Sequence, residues 1–454
     1  MVEITRPSPQ YEYSGLNVLI MGLGLHGGGL ESAKFLARNG AELTVTDMRG
    51  EDTLKNQAAA LDAYIAGIGQ KPARYVLGRH EKADFQNAGM VLKNPGVPPS
   101  SLYLHEAKCI ETDISIFLRH NPAPLIAVTG SKGKSFTASA IHYALSALLP
   151  AARKAYLGGN ITVSPLTFLE ELTAGDFAVL ELSSFQLGDL PYTAHWNGGT
   201  LLKPRAAVLT AVMSDHQDRY GGMDAYIADK KLIYNAQDSG DVTVSAGDNW
   251  GRIFLSETKG RPLRSCSEET MNALMAAGNH RELNTLNAHC VLVDLGFDSG
   301  AARRCLDAFP GIEHRMELFL EYKGIRFYND SAATIPEAAA ACCRNLNNLV
   351  LVTGGSDKNL DFSPLAHAAA AARAVVLLAG SGSEKLAGLL SERNIPYDGP
   401  FGTLDGAVNA AFTHAKKGYS VALSPGCASF GMFLNEFDRG RKWKETVTKI
   451  AGLV

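Results

Sequence analysis

The chain alternates short, continuously apolar runs with longer stretches in which apolar residues recur every three or four positions. Runs of the first kind lie at Asn17–Met21, Glu42–Thr46, Leu125–Val128, Phe177–Leu182 and Ala206–Val212. They predict buried parallel strands, because a strand covered on both faces shows no polar alternation. Stretches of the second kind predict helices, one from the glycine turn after Met21 to about Arg38 and one over Ser135–Leu149. The pattern returns in the C-terminal third, with strands expected at Leu349–Thr353, Val375–Ala379 and Ser420–Leu423 between alanine-rich helices. Such alternation means α/β architecture. Proline and glycine interrupt it near Glu111–Asp113 and near Phe309–Ile312. Three domains are therefore expected: a Rossmann-like N-terminal domain over 1–112, a central P-loop ATPase-like domain with a mostly parallel sheet over 113–311, and a Rossmann-like C-terminal domain over 312–454.

Composition narrows the function classes. Hydrophobic residues make up 46% and charged residues 20% of 454 residues, enough apolar material for several cores. A formal net charge of −3 gives no reason to expect nucleic acid or an anionic membrane as partner. No apolar run approaches the ~20 residues of a membrane span, and the first residues carry no secretory apolar core. Seven cysteines without a C-x-x-C pair speak for reduced thiols rather than disulfides or structural zinc. A cytoplasmic protein is expected.

Four motifs carry chemistry. Gly22-Leu23-Gly24-Leu25-His26-Gly27 is a G-x-G-x-x-G between strand and helix, with Asp47 at the end of the next strand. Glycines there let a ligand's phosphates approach a helix N-terminus, and the acid can bind a ribose hydroxyl. Alone, this motif fits a dinucleotide oxidoreductase or a turn needed only for packing. The second motif changes the picture: Thr129-Gly130-Ser131-Lys132-Gly133-Lys134-Ser135 follows a buried strand and opens a helix. Backbone N–H groups of such a loop cradle phosphates, a lysine offsets their charge and a serine hydroxyl holds Mg²⁺. The third motif is Glu181, in Glu181-Leu182-Ser183-Ser184-Phe185-Gln186-Leu187 at a strand's carboxyl end, where an acid downstream of a phosphate loop serves a metal. The fourth is Asp215-His216-Gln217-Asp218-Arg219-Tyr220, with Lys230 shortly after; an Asp-His pair of this kind is a ligand set or simply a hydrogen-bonded loop.

Together these stretches resemble the Mur ligases of peptidoglycan synthesis, and the similarity continues through Asn94-Pro95-Gly96, Gly159-Asn160, Gly278-Asn279-His280, His314-Arg315, Asn329-Asp330-Ser331, GGSDKNLDFSPL and SPGCASF. It runs from Gly22 to about Arg439, and ELSSFQL and DFSPL are most similar to the D-glutamate-adding members. The resemblance implies an ATP-dependent, ADP-forming amide ligase that works through an acyl phosphate, with UDP-N-acetylmuramoyl-L-alanine and glutamate as substrates, Mg²⁺ as cofactor and a monomeric state. It assigns Leu25, His26, Asp47, Arg49, Asn94, Gly96, Asn160 and Gln186 to the UDP substrate. ATP falls to Gly130, Ser131, Lys132, Gly133, Lys134, Ser135, Asn284, Arg315 and Asp330, and the amino acid to Thr334, Lys358 and Ser429. Metal ligation falls to Ser135, Glu181, His216 and Lys230, the last as a carbamate; Lys134, Lys230, His216, Arg315 and Lys358 are the implied catalytic groups.

Some positions depart from the family pattern. Lys132 stands where asparagine is usual, Arg281 where asparagine is common, Ala332 to Pro336 replace a Lys-Ala-Thr-Asn stretch, and Glu436-Phe437 invert the usual order. The changes at Ala332, Ile335 and Glu436 touch the amino-acid assignment, so L-glutamate or another amino acid stands beside D-glutamate, and a non-catalytic nucleotide-binding regulator is the remaining alternative.

Overall fold

Residues 13–24, 27–161, 163–193, 200–358 and 360–453 are described in a computed structural model of the chain, without the side chains of 217 and 218. Leu25 and His26, both expected at the nucleotide substrate, lie outside the described residues.

Every apolar run expected as a strand forms one. The first sheet contains β1 (Asn17–Met21), β2 (Glu42–Asp47), β3 (Arg74–Leu77), β4 (Met90–Lys93) and β5 (Ile110–Glu111), all parallel in the order β3-β2-β1-β4-β5. The second contains β6 (Leu125–Thr129), β7 (Ala155–Gly159), β8 (Phe177–Glu181), β9 (Ala206–Leu209), β10 (Val242–Ser245) and β11 (Arg261–Arg264), parallel in the order β11-β10-β9-β6-β8-β7. The third contains β12 (Glu317–Tyr322), β13 (Ile325–Asn329), β14 (Leu349–Thr353), β15 (Ala374–Leu378), β16 (Asp398–Phe401) and β17 (Ser420–Leu423), in the order β12-β13-β17-β14-β15-β16. Only β12 among these pairs antiparallel, as a hairpin with β13.

The continuous apolar character of the strands follows from burial on both faces. In the third sheet Leu349, Leu351, Val375 and Leu377 enter one core, while Val350, Val352, Val376 and Leu378 enter another. In β6, Ala127 and Leu125 face one core and Ile126 and Val128 the other. Successive side chains of a strand point to opposite faces, so both sets must be apolar when helices cover both.

The chain forms two compact units, Met1–Phe309 and Pro310–Val454. Within the first, the apolar core runs on from Val18 and Ile20 of β1 to Ala127 of β6 and Leu180 of β8. The link is the helix Asp113–His120, started by a reciprocal cap in which Thr112 and Ser115 serve each other's backbone N–H groups. Its Ile114, Ile116 and Phe117 are fully buried, and Phe117 meets Phe168 edge-on at 5.7 Å. Each such side chain removed from water contributes about 1.5–3 kcal/mol, so the helix holds the first two sheets to one shared core. Among the described residues no helix is long and apolar enough to cross a membrane.

Candidate functional site

In the first unit the carboxyl ends of the first two sheets open into one cleft of about 640 Å³, the position where open α/β sheets hold ligands. One wall starts at the glycine turn after β1. Gly22, at φ +95°, lies so close to Asn94 that a Cβ there would stand 2.9 Å from Asn94 Cβ. Asp47 closes the turn: its Oδ2 accepts from Gly24 N at 3.3 Å and its Oδ1 from Arg49 N at 2.9 Å. Arg49 itself is half exposed, 3.6 Å from Asp47 Oδ1. Asn94 Oδ1 accepts from Gly96 N at 2.9 Å and shapes the loop after β4.

The phosphate loop forms the opposite wall. Gly133 takes a left-handed φ of +95° as the N-terminal cap of helix Lys134–Leu148, so the helix starts at Lys134, one residue before the expected position. Asn284 lies against this glycine; a Cβ at Gly133 would stand 2.5 Å from its Nδ2. Strand β9 is shorter than its apolar run. It stops at Leu209 because the chain beyond serves the loop, with Ser131 N and Lys132 N both donating to Ala211 O, at 2.8 and 3.2 Å. Ser131 is a loop brace in this structure, its hydroxyl 2.9 Å from Met213 O and 2.8 Å from Tyr226 Oη. Lys134 Nζ donates to Ser131 O at 3.1 Å, and Lys132 is exposed.

Two buried charged groups stand beside this loop. Glu181, 2% exposed, accepts from Asn160 Nδ2 at 2.9 Å through Oε1, but its Oε2 has no hydrogen-bond partner among the described residues. A buried carboxylate oxygen without a donor is costly, and it fits an oxygen-seeking divalent cation. Lys230 is 1% exposed, donates to Gly130 O at 2.8 Å and stands 4.3 Å from the Tyr226 ring centroid. Burial, helped by nearby Lys134, pushes its ammonium down to about 7. His216, at φ +51°, is exposed at the rim with its ring 4.8 Å from that of Phe185. Ser135 is half-buried in the first turn of the loop helix. Gln186 lines the cleft, yet its Oε1 accepts from Ser183 N at 3.0 Å and caps the short helix Ser184–Asp189. Lys93, His80 and Asp113 also line the cleft and were not singled out by the motifs, because each lies between recognisable stretches and depends on long-range pairing; Phe185 and Tyr226, which line it too, stand inside the third and fourth motifs without an assigned role.

The remaining candidates belong to the second unit, where three loops leave the carboxyl ends of the adjacent strands β13, β17 and β14. Asp330, just past β13, accepts from Met316 N at 3.0 Å and from the Ser424 hydroxyl at 2.6 Å; burial holds its carboxyl up at about 6. Arg315 is exposed in the turn before β12, beside His314 at φ +64°. The loop after β14 bridges to the loop after β17 through Ser356 and Ala428, which brings Lys358 and Ser429 onto neighbouring segments; Lys358 Nζ is 6.0 Å from the Phe430 ring centroid. Thr334 lies next to Ala333, whose carbonyl accepts from Gly426 N at 2.8 Å. Beneath these loops the fully buried Arg439 donates to Ser331 Oγ and O and to Cys427 O.

Residues 128–296 match the model of the Mur ligase middle domain. A UDP-N-acetylmuramoylalanine–D-glutamate ligase of Treponema pallidum (strain Nichols) is 38% identical over an alignment covering 95% of this chain and 97% of that protein. The ligase of the same name from Roseiflexus sp. (strain RS-1) is 38% identical, with 96% and 99% covered. The chain belongs to the Mur ligase family. Solved Mur ligases share the fold: MurC of Thermotoga maritima superposes with a TM-score of 0.55 at 15% identity, covering 96% of this chain and 100% of that one. MurF of Thermotoga maritima, solved in complex with ADP, superposes at 0.52 and 16% identity, covering 99% and 97%. In this Mur ligase the phosphate loop, Glu181, His216 and Lys230 all lie inside the region matched by the middle-domain model.

Proposed function

We propose that this Mur ligase uses ATP to activate the carboxylate of UDP-N-acetylmuramoyl-L-alanine and joins it to D-glutamate, a step of peptidoglycan precursor synthesis. The observation that carries the reading is the cleft, lined by Lys134 and Lys230 on one side and by Gly24, Asp47 and Asn94 on the other. That combination suits a reaction between two phosphate-bearing molecules, and a nicotinamide oxidoreductase has no use for the phosphate loop. In this proposal 1–112 binds the UDP substrate, 113–311 holds ATP on Gly130–Ser135 with Asn284, and 312–454 supplies Arg315 and Asp330 for the nucleotide and Thr334, Lys358 and Ser429 for glutamate.

The chemistry follows from the charges. The substrate carboxylate attacks the γ-phosphorus, ADP leaves, and the amine of glutamate then adds to the acyl phosphate and expels phosphate. Lys134 offsets charge on the transferring phosphoryl group, and such electrostatic stabilisation is the main source of rate in reactions of this class. Magnesium, held by Ser135, Glu181, His216 and carbamylated Lys230, would supply further neutralisation of the same charge. A lysine whose ammonium is held near 7 offers a neutral amine to CO₂ at physiological pH; the carbamate forms with loss of one proton and replaces a buried cation by an anion. A monomeric, cytoplasmic enzyme without nucleic-acid or membrane partners completes the proposal.

The test is phosphate release with ATP, Mg²⁺ and UDP-N-acetylmuramoyl-L-alanine, comparing D-glutamate with L-glutamate. Release that requires D-glutamate is expected. Release with L-glutamate alone would reassign the amino acid, and ATP binding without release in either case would leave only the regulator reading.

A further inference from the structure

Lys93, the last residue of β4, and Asp189, the last residue of helix Ser184–Asp189, form an ion pair at 2.6 Å with side chains only 2% and 1% exposed. Neither residue has a part in the phosphoryl transfer. The pair joins the first sheet to the second-sheet region across 96 residues of sequence. Its setting is poor for stability. Two ions are withdrawn from water, Asp189 lies at the carboxylate-disfavouring end of a helix, and its Oδ1 has no hydrogen-bond partner among the described residues. Burying such a pair is on balance no more stabilising than an apolar pair of the same size.

Its position is more informative. Lys93 immediately precedes Asn94-Pro95-Gly96, the loop of the cleft wall assigned to the nucleotide substrate, and Lys93 Nζ also donates to Asn94 O at 3.3 Å. Arg219, stacked 3.7 Å from the Phe185 ring centroid, reaches the same loop and donates to Pro95 O at 3.2 Å. Behind the pair lies a second cavity of about 280 Å³, lined by Pro99, Leu104, Ala107, Ile110 and Tyr192 besides Lys93 and Asp189. The Lys93–Asp189 contact thus borders both the cleft wall and this cavity, and it is the ion pair that ties the base of the loop to the helix Ser184–Asp189. The helix that ends in Asp189 begins at the cap formed by Ser183 and Gln186 in the same cleft, so one short rigid element connects both walls.

We propose that Lys93 and Asp189 are positioning residues that fix the Asn94-Pro95-Gly96 loop against the helix Ser184–Asp189 and so set the affinity for the nucleotide-sugar substrate, independently of ATP. The inference rests on the proposed assignment of the UDP substrate to this cleft wall. Wild-type turnover of UDP-N-acetylmuramoyl-L-alanine tests the substrate, and a raised KM for it in Asp47→Asn tests the wall, both before any Lys93 or Asp189 variant is compared.

The experiment measures kcat, KM for each substrate and the melting temperature in Asp189→Leu, Asp189→Asn and the double variant Lys93→Met/Asp189→Leu. Asp189→Leu strands a buried ammonium and should raise KM for the UDP substrate about tenfold or more, with KM for ATP within about twofold of wild type. Asp189→Asn keeps an acceptor for Lys93 and should retain most of the affinity. The double variant removes both charges, so its melting temperature should return towards wild type while KM for the UDP substrate stays high, because an apolar pair lacks the directional bond. A KM that recovers together with the melting temperature would make the pair merely structural. An unchanged KM in Asp189→Leu, or an equal rise in KM for ATP, would overturn the proposal.

Discussion

Asp47 and Glu181 occupy equivalent places in the first and second sheets: each ends a parallel strand and each is buried, at 3% and 2% exposure. Their surroundings are opposite. Both oxygens of Asp47 accept from backbone N–H groups, at Gly24 and Arg49, and the carboxylate holds the glycine turn in shape. Glu181 has one oxygen bound by Asn160 and the other left without a donor among the described residues. It belongs to the same compact unit as Lys230, whose ammonium burial has brought down to about 7. The satisfied carboxylate fixes the backbone around it, whereas the one with an unpartnered oxygen is the one that the proposed function gives to a divalent cation. The two glycine motifs, similar as text, thus have different physical jobs.

The largest expected effect on this contrast comes from Lys134→Met, which removes the cation proposed to offset charge on the transferring phosphoryl group. Phosphate release should fall by about 10³-fold or more with the melting temperature little changed. Glu181→Gln should come next, with kcat lower by on the order of 10²-fold and a raised Mg²⁺ requirement. A Glu181→Gln enzyme with an unaltered Mg²⁺ titration would mean that the orphan oxygen serves no cation. Asp47→Asn keeps an acceptor for the glycine turn, so KM for the UDP substrate should rise only severalfold with kcat nearly unchanged. If Asp47→Asn instead matched Glu181→Gln in kcat, the distinction between the two carboxylates would fail.

A further effect, on stability rather than on turnover, concerns the second unit. Burial raises the folded carboxyl of Asp330 from 3.8 to about 6, so between these values the folded chain holds a proton that the unfolded chain has already lost. Stability from this group is therefore full below the unfolded value and declines as pH rises from about 4 to about 6, by up to ~3 kcal/mol. Thermal melts should show Asp330→Asn gaining on wild type over that window. A constant difference between the two proteins from pH 4 to pH 7 would remove Asp330 as the source.

Much of this was legible in the chain. Val350 and Leu351 lead to different cores, and that two-sided burial is what made β14 readable as an unbroken apolar run. The phosphate loop was readable because Gly130 and Gly133 need positive φ and contact Thr210 and Asn284 where a Cβ would collide. The end of β9 was not readable: Thr210 to Val212 are apolar enough for a strand, but Ala211 O is taken by the loop amides. Nor was the helix cap made by Gln186 Oε1 readable, since it depends on the side chain folding back onto Ser183 N in the same cleft that the family resemblance assigns it to.

The sequence by itself determined the α/β class, the strands, the phosphate loop and the acid downstream of it, because these depend on local backbone freedom and on side-chain period along a single segment. Tertiary structure alone decided that the first two sheets share one core through Ile114, Ile116 and Phe117. It also decided that Glu181 keeps one oxygen without a partner among the described residues, that Lys230 is stripped of water, and that Lys93 meets Asp189 across the cleft wall. Each of those facts is a matter of desolvation and of which polar group finds a partner, and both are set by neighbours that are distant in sequence.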